Sequence, residues 1–324
     1  MATARIDIHA DMLDWRQRLE GAISDFDRSP HLVHLLHELN SALDRMAQGT
    51  YGTCAICDGP MPKDIVVDPL ARYCLDCLTS AEVHALQLDL DSVSEIQGEM
   101  LPKHDFAFNG WEACYHYEAL GPVSGDYCDL LRADNGDLFF LFGDVAGKGI
   151  AASMLMAHLS ATFRSLITVN LPMNELVERA NKVFSESTMP AYFATLVCGR
   201  ASSSGEVELC NAGHLPPFLI RGGEVTSLEA TGLPLGLFCR ERYAVTSLKL
   251  NKGDSLLMYT DGLTEARDPL DGEYGSERLL RLAGAYHSLA PKQLVEACLQ
   301  DVTSFRSGAP RNDDLTVMAI RRGE

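Results

Sequence analysis

The stretch LFFLFGDVAGKGIAASMLM, residues 138–156, decides the architecture. Leu138–Phe142 are five consecutive apolar residues, the pattern of a short strand buried on both faces. The run stops at Gly143-Asp144, and a helical apolar periodicity takes over from 149 to 169. A second helical pattern, 173–187, follows with no strand between. Outward from there, AYFATLVCGR (191–200), VELCNAG (207–213), DSLLMYTDG (254–262) and DLTVMAIRR (314–322) read as strands bounded by Gly, Asp or Pro. Helical patterns at 276–287 and 291–306 precede the last of them. Strands grouped with paired helices predict an α+β fold, with helices laid on sheet surfaces, rather than a strictly alternating parallel sheet. The Gly-Lys of GDVAGKG does not make a Walker loop: only three residues separate Gly143 from Gly147, and Gly149 stands where Ser or Thr is required.

The N-terminal third has a different character. Trp15, Leu19 and Ile23, then Leu32, Leu35, Leu36, Leu39, Leu43 and Met46, recur at steps of three and four. They predict two amphipathic helices joined at SDFDRSP, an antiparallel hairpin with Asp25 and Asp27 in its turn. Two CxxC pairs follow, Cys54/Cys57 and Cys74/Cys77, separated by a sixteen-residue spacer. That arithmetic predicts a tetrahedral, coordinatively closed, structural zinc site. A further helix runs from Thr79 to Met100 and stops before Pro102. The expected organisation is a helical hairpin over 1–50, a four-cysteine finger over 51–79, a helical linker over 80–104 and a large domain over 105–324.

With 324 residues, 46% of them hydrophobic, the chain is long enough for two globular domains. A formal net charge of −18 opposes contact with a polyphosphate backbone, so no direct nucleic-acid partner is expected. The N-terminus has no basic segment followed by a long apolar run, and no membrane-spanning stretch stands out. The expected location is the cytoplasm. There the other six cysteines, Cys114, Cys128, Cys198, Cys210, Cys239 and Cys298, are expected to be reduced and buried.

Aspartates recur at the ends of apolar strands or in the turns beside them, in most cases next to glycine: Asp126 and Asp129 in GPVSGDYCD (121–129), Asp144 in GDVAGKGIAASMLM, Asp261 in GDSLLMYTDGLTEA (253–266), and Asp313 and Asp314 in NDDLTV (312–317). Rigidly held carboxylates with glycine neighbours are what a cluster of hard cations requires. With NAGHLPP (211–217) and GLPLG (232–236) between them, these stretches resemble the metal-dependent PPM serine/threonine phosphatases, in particular their SpoIIE/RsbU-like branch. The resemblance implies an α-β-β-α sandwich. It also implies two Mn²⁺ or Mg²⁺ ions on Asp126, Asp144, the Val145 carbonyl, Asp261 and Asp313, with Asp144 bridging. Asp313 is preferred to Asp314 because the family's ligand precedes the Asp/Asn-aliphatic-Thr step, and Asp129 is placed as a ligand acting through water.

Two divalent ions acidify a bridging water and neutralise the transferred phosphoryl group, so no protein nucleophile is needed. Neither a phosphatase-type Cys loop nor a GxSxG elbow occurs. Ala146 stands where eukaryotic relatives carry a histidine, which leaves the general acid unassigned. Lys148 is either a phosphate-facing group or a solvated loop residue, and His214 either lines the cleft or is a structural imidazole. The branch further implies a phosphoserine or phosphothreonine substrate, typically a STAS-domain anti-anti-sigma factor, and a preceding helix that transmits a signal or dimerises. Separately, RMAQGTYGTCAICDGPMP (45–62) and YCLDCLTSAE (73–82) resemble the DksA/TraR zinc-finger family. That resemblance implies a regulator of RNA polymerase as the rival function, with the phosphatase fold as its platform. A dinuclear phosphodiesterase is disfavoured by the lack of histidines near the acidic stretches.

Overall fold

The computed structural model describes residues 12–13, 15–17, 30–61, 70–74, 77, 80–189 and 192–323. The chain divides into two compact units, Met1–Asp89 and Leu90–Glu324.

In the first unit, residues 12–13 and 15–17 are helical and α1 spans Pro30–Ala47. Proline opens α1 because the first helical N–H has no intrahelical partner to lose. Leu39, Ala42 and Leu43 bury the inner stripe of α1 against Met12 and Trp15, as the sequence periodicity requires. The expected hairpin tip, with Asp25 and Asp27, lies outside the described residues. At the other end of α1, Arg45 donates to the carbonyls of Leu70 (3.0 Å) and Ala71 (2.7 Å), which fastens the helix to the second cysteine arm.

Helix α2 spans Ser80–Met100, and the boundary between the units falls within it. The second unit continues with eleven strands: β1 (Asp105–Phe108), β2 (Trp111–Glu118), β3 (Asp126–Arg132), β4 (Leu138–Val145), β5 (Ala194–Ala201), β6 (Glu206–Ala212), β7 (Phe218–Arg221), β8 (Glu224–Ser227), β9 (Thr246–Lys249), β10 (Ser255–Tyr259) and β11 (Leu315–Arg322). Its remaining helices are α3 (Gly149–Ile167), α4 (Met173–Ser187), α5 (Asp261–Thr264), α6 (Ser276–Ala285) and α7 (Pro291–Arg306). Two antiparallel sheets form, ordered β3-β4-β5-β6-β9 and β1-β2-β11-β10-β7-β8.

The apolar run of β4 explains the layering. Phe139 and Leu141 point to α3 and α4, packing with Met156, Phe163 and Phe184, while Leu138, Phe140 and Phe142 point to the other sheet and meet Leu256, Met258 and Met318. A third core joins the far face of the second sheet to α6 and α7 through Leu257, Leu279 and Val295. The result is helices, sheet, sheet, helices, the expected sandwich. By length and composition α3 is apolar enough to cross a membrane, but its Ala152, Met156, Leu159 and Phe163 are buried in this core.

Helix spans agree with the sequence patterns to within two residues at each end. The run 254–262 differs. Its strand stops at Tyr259, because Asp261 opens the single turn α5. Strands β1, β2, β3, β7, β8 and β9 have no counterpart among the sequence-predicted runs.

Candidate metal-dependent active site

Asp126, the first residue of β3, and Asp144, near the end of β4, are partners across the β3–β4 ladder. Strand parity places both on the face that looks toward the second sheet, with Cys128, Phe140 and Phe142. Asp126 is 2% exposed. Its Oδ2 accepts hydrogen bonds from the Thr260 hydroxyl at 3.1 Å and from the Thr316 hydroxyl, both on the opposite sheet's side of the seam. Burial, and then the neighbouring Asp144, push its carboxyl well above the usual range, with the Thr316 bond pulling the other way. Asp144 is pushed up to about 7, first by burial and then by Asp261, Asp313 and Asp314. Burial and Asp313 raise Asp261.

Glycines make this convergence sterically feasible. A Cβ on Gly262 would stand 1.7 Å from the Asp314 carbonyl oxygen, and one on Gly125 2.9 Å from the Val145 carbonyl and 3.2 Å from Asp144 Oδ1. Either side chain would push two acidic segments apart. Asp313 Oδ1 accepts the Asp314 N–H at 3.0 Å, while Oδ2 receives the Lys148 ammonium at 2.8 Å. Asp314 turns away and accepts the Leu120 N–H at 2.6 Å, ordering the loop ahead of β3. A cleft of about 330 Å³ opens beside the acids, lined by Asp144, Ala146, Thr195, His214, Asp261 and Glu265. A larger groove of about 650 Å³ passes Arg200, Glu208 and Lys249 at the β6–β9 end of the first sheet. Its Arg200 and Glu208 are already paired with each other.

An all-carboxylate set in which Asp126, Asp144 and Asp261 are raised by burial and by neighbouring acids suits hard divalent cations such as Mn²⁺ or Mg²⁺. Asp126, Asp144, Asp261 and Asp313 would hold them, with the Val145 carbonyl beside Gly125. The acids are spread more widely than a single coordination sphere. Among the described residues, only the four cysteines bring all their ligand atoms within 4.8 Å of one another. A pair of ions about 3.5–4 Å apart would distribute its ligands in this looser way.

The family described as Stage II sporulation protein E matches residues 134–323, more than half of the chain. The chain belongs to the SpoIIE family. The chain, with its PPM-type phosphatase domain, is 28% identical over 265 residues to Protein IcfG of Synechocystis, an alignment covering 73% of this chain and 42% of that protein. It is 25% identical to the phosphoserine phosphatase RsbU of Bacillus subtilis, over 62% of this chain and 60% of RsbU. Among solved structures, the RsbU and RsbW domains of Rv1364c from Mycobacterium tuberculosis superpose with a TM-score of 0.58 at 29% identity, covering 69% of this chain and 62% of that one. The chain thus spans less than two thirds of each of these relatives.

Other sequence-selected residues take different positions in the SpoIIE domain. Asp129 lies three residues beyond Asp126 on the same strand, so it faces α3 instead. There Arg164 grips both its oxygens, at 2.7 Å and 3.2 Å, and the Leu130 N–H adds a bond at 2.9 Å. That placement makes Asp129 a structural partner of α3, on the face of β3 opposite Asp126. His214 is buried, with Nε2 3.2 Å from the Tyr259 carbonyl and Nδ1 2.8 Å from the Thr195 hydroxyl. A carbonyl can only accept, so Nε2 carries the proton and Nδ1 accepts from Thr195. Burial pushes this imidazole down to about 4. It is a neutral brace that orders the cleft wall.

The groups that hold Asp126 were not singled out in the sequence. Thr260 and Thr316 sit inside YTDGL and DDLTV, each adjacent to or near a chosen acid, so the signal was present. Gln97 on α2 is 5% exposed and makes two bonds to Ser124: its amide donates to the carbonyl at 2.8 Å and its oxygen accepts the N–H at 3.0 Å. The Ser124 hydroxyl in turn accepts the Asp126 N–H at 3.0 Å.

In the first unit, Sγ atoms of Cys57 and Cys74 stand 3.7 Å apart. Four thiolates ~2.3 Å from one tetrahedral ion would stand roughly 3.8 Å apart. Peptide N–H groups of Cys57, Cys74 and Ile56 help bring the Cys54 thiol down to about 6, favouring the thiolate that a metal needs.

Proposed function

We propose that the SpoIIE domain hydrolyses phosphoserine or phosphothreonine in a protein substrate, using two Mn²⁺ or Mg²⁺ ions held by Asp126, Asp144, the Val145 carbonyl, Asp261 and Asp313. The observation that carries this reading is the convergence of these acids, drawn from both sheets, on one seam beside an open cleft. Such ions, when bound, supply an acidified water and neutralise phosphoryl charge. The protein's own part is positional. Thr260 and Thr316 fix one oxygen of Asp126, the residue that pairs with Asp144 across the β3–β4 ladder. Burial keeps competing water from Asp126, and Thr195 with His214 stiffens the cleft wall beside Ala146. Ala146 has no titratable side chain, so the leaving alkoxide must take its proton from a water or from a group elsewhere in the cleft.

The substrate we favour is a phosphorylated STAS-domain regulator, on the strength of the resemblance to the SpoIIE/RsbU-like branch. We also propose that Cys54, Cys57, Cys74 and Cys77 hold one structural zinc ion, and that this unit recruits or regulates the phosphatase. Release of phosphate from a phosphoserine protein or a chromogenic monoester, with Mn²⁺, tests the first claim. Asp144→Ala and Asp261→Ala should each lower the rate at least ~100-fold. Activity surviving in both variants overturns it. Zinc content near one per chain, lost on substituting two of the four cysteines, tests the second.

A further inference from the structure

Lys148 lies between two glycines in left-handed conformations, Gly147 (φ 112°) and Gly149 (φ 73°), and is itself extended. From this loop its ammonium crosses to the segment before β11, 2.8 Å from Asp313 Oδ2 and 3.2 Å from the Asn312 carbonyl. Oδ1 of Asp313 is turned to the adjoining backbone, where it accepts the Asp314 N–H, and Oδ2 is the oxygen that faces a cation, the Lys148 ammonium. Lys148 holds that oxygen. The nearby Arg311 cannot substitute, since it is committed to the carbonyls of Glu118 and Ala119.

We infer that Lys148 is a tethered counter-cation for Asp313, which a divalent cation must displace and which thereby sets the concentration of Mn²⁺ or Mg²⁺ at which the site fills. This rests on the two-ion reading of the acidic cluster. The geometry suits an exchangeable contact. The Lys148 side chain is 60% exposed and that of Asp313 30%, so the released ammonium regains solvent. Both flanking glycines hold positive φ, a backbone state that glycine adopts without strain. An exposed ion pair is also weak enough to be exchanged under ordinary conditions. The pairing neutralises part of the repulsion among Asp261, Asp313 and Asp144, so the same contact that competes with the ion keeps the cluster assembled.

The test is isothermal calorimetry of Mn²⁺ binding to the full chain without substrate, comparing the parent with Lys148→Gln, Lys148→Arg and Asp313→Asn. Lys148→Gln should tighten Mn²⁺ binding about two- to five-fold, the range that an exposed pair allows. Lys148→Arg, which keeps the charge, should stay near the parent, and Asp313→Asn should weaken binding. If Lys148→Gln binds Mn²⁺ no more tightly than the parent while Asp313→Asn weakens it, the counter-cation role is wrong and the metal site stands. If Asp313→Asn leaves binding unchanged, the assignment of Asp313 as a ligand fails, and the inference fails with it.

Discussion

Replacing Arg164 with alanine leaves Asp129 buried without its counter-charge. In the parent, Asp129 is 1% exposed and Arg164 reaches both of its oxygens. Its remaining donors are the Leu130 N–H at 2.9 Å and the Tyr127 hydroxyl at 3.4 Å. Removing one partner of such a pair destabilises by about 3–5 kcal/mol. Loss of the bond from Arg164 to the Met100 carbonyl adds about 1 kcal/mol. For a domain of this size 1 kcal/mol moves Tm by about 2–4 °C, so the variant should melt roughly 8–24 °C lower at neutral pH.

The two contributions separate by pH. Burial raises the Asp129 carboxyl and Arg164 offsets the rise, so in the variant the folded-state value climbs further. A carboxyl raised on folding supports stability below its unfolded pKa, and that support is lost as pH rises through the folded value. The deficit of Arg164→Ala should therefore be small near pH 5 and full near pH 8, except for the pH-independent loss at Met100. Urea melts followed by circular dichroism at both pH values measure it. Adding Asp129→Asn to the variant should recover stability at pH 8. An equal deficit at both pH values, with no recovery in the double variant, would refute the argument.

Thr316→Val removes a hydroxyl donor from a buried carboxylate, which should cost about 1–3 kcal/mol of stability; calorimetric titration should also show weaker Mn²⁺ binding. Gly262→Ala introduces a methyl 1.7 Å from the Asp314 carbonyl, so the last acidic segment must move. Phosphate release should fall on the order of 100-fold, the effect of a misplacement near 1 Å. With no cation added, Asp144 lies at about 7 in the folded chain against an ordinary value of 3.8, so its contribution to stability declines between those values as pH rises. The gain in Tm on adding Mn²⁺ should accordingly be larger at pH 8 than at pH 5 in differential scanning calorimetry.

Asp126, Asp144 and Asp261 were legible in the sequence as glycine-flanked acids at the ends of apolar runs, and the structure places Asp126 opposite Asp144 and lines one cleft with Asp144 and Asp261. These three stand out by their place beside glycine at strand ends, whereas the full ligand set, and Asp313 in place of Asp314, came from the family resemblance. Asp129 shows what that method overlooks: three positions along a strand reverse the face, and parity alone separates it from Asp126. Thr260 and Thr316 act across the seam, a relation that no single segment encodes. Gln97 occupies an inward position in the three-and-four series Leu90, Val93, Gln97, Met100, where apolar periodicity registers a polar residue as a gap. Strand β2, WEACYHYE, escaped because His116, Tyr117 and Glu118 blur its alternation. The hairpin of β7 and β8 escaped although Gly222-Gly223, both with positive φ, is a recognised two-residue turn signal.

The hydroxyls that grip Asp126 lie 134 and 190 positions along the chain from it. Local structure such as the β3–β4 hairpin can form early, but the pocket exists only after the two sheets have closed on each other. Contacts of such long sequence separation are slow to form. During refolding, helical and strand signals should therefore return before cation binding does. A newly made chain would pass through a compact stage that has its secondary structure and no competence for hydrolysis. A regulator could exploit that interval by acting before the sheets meet.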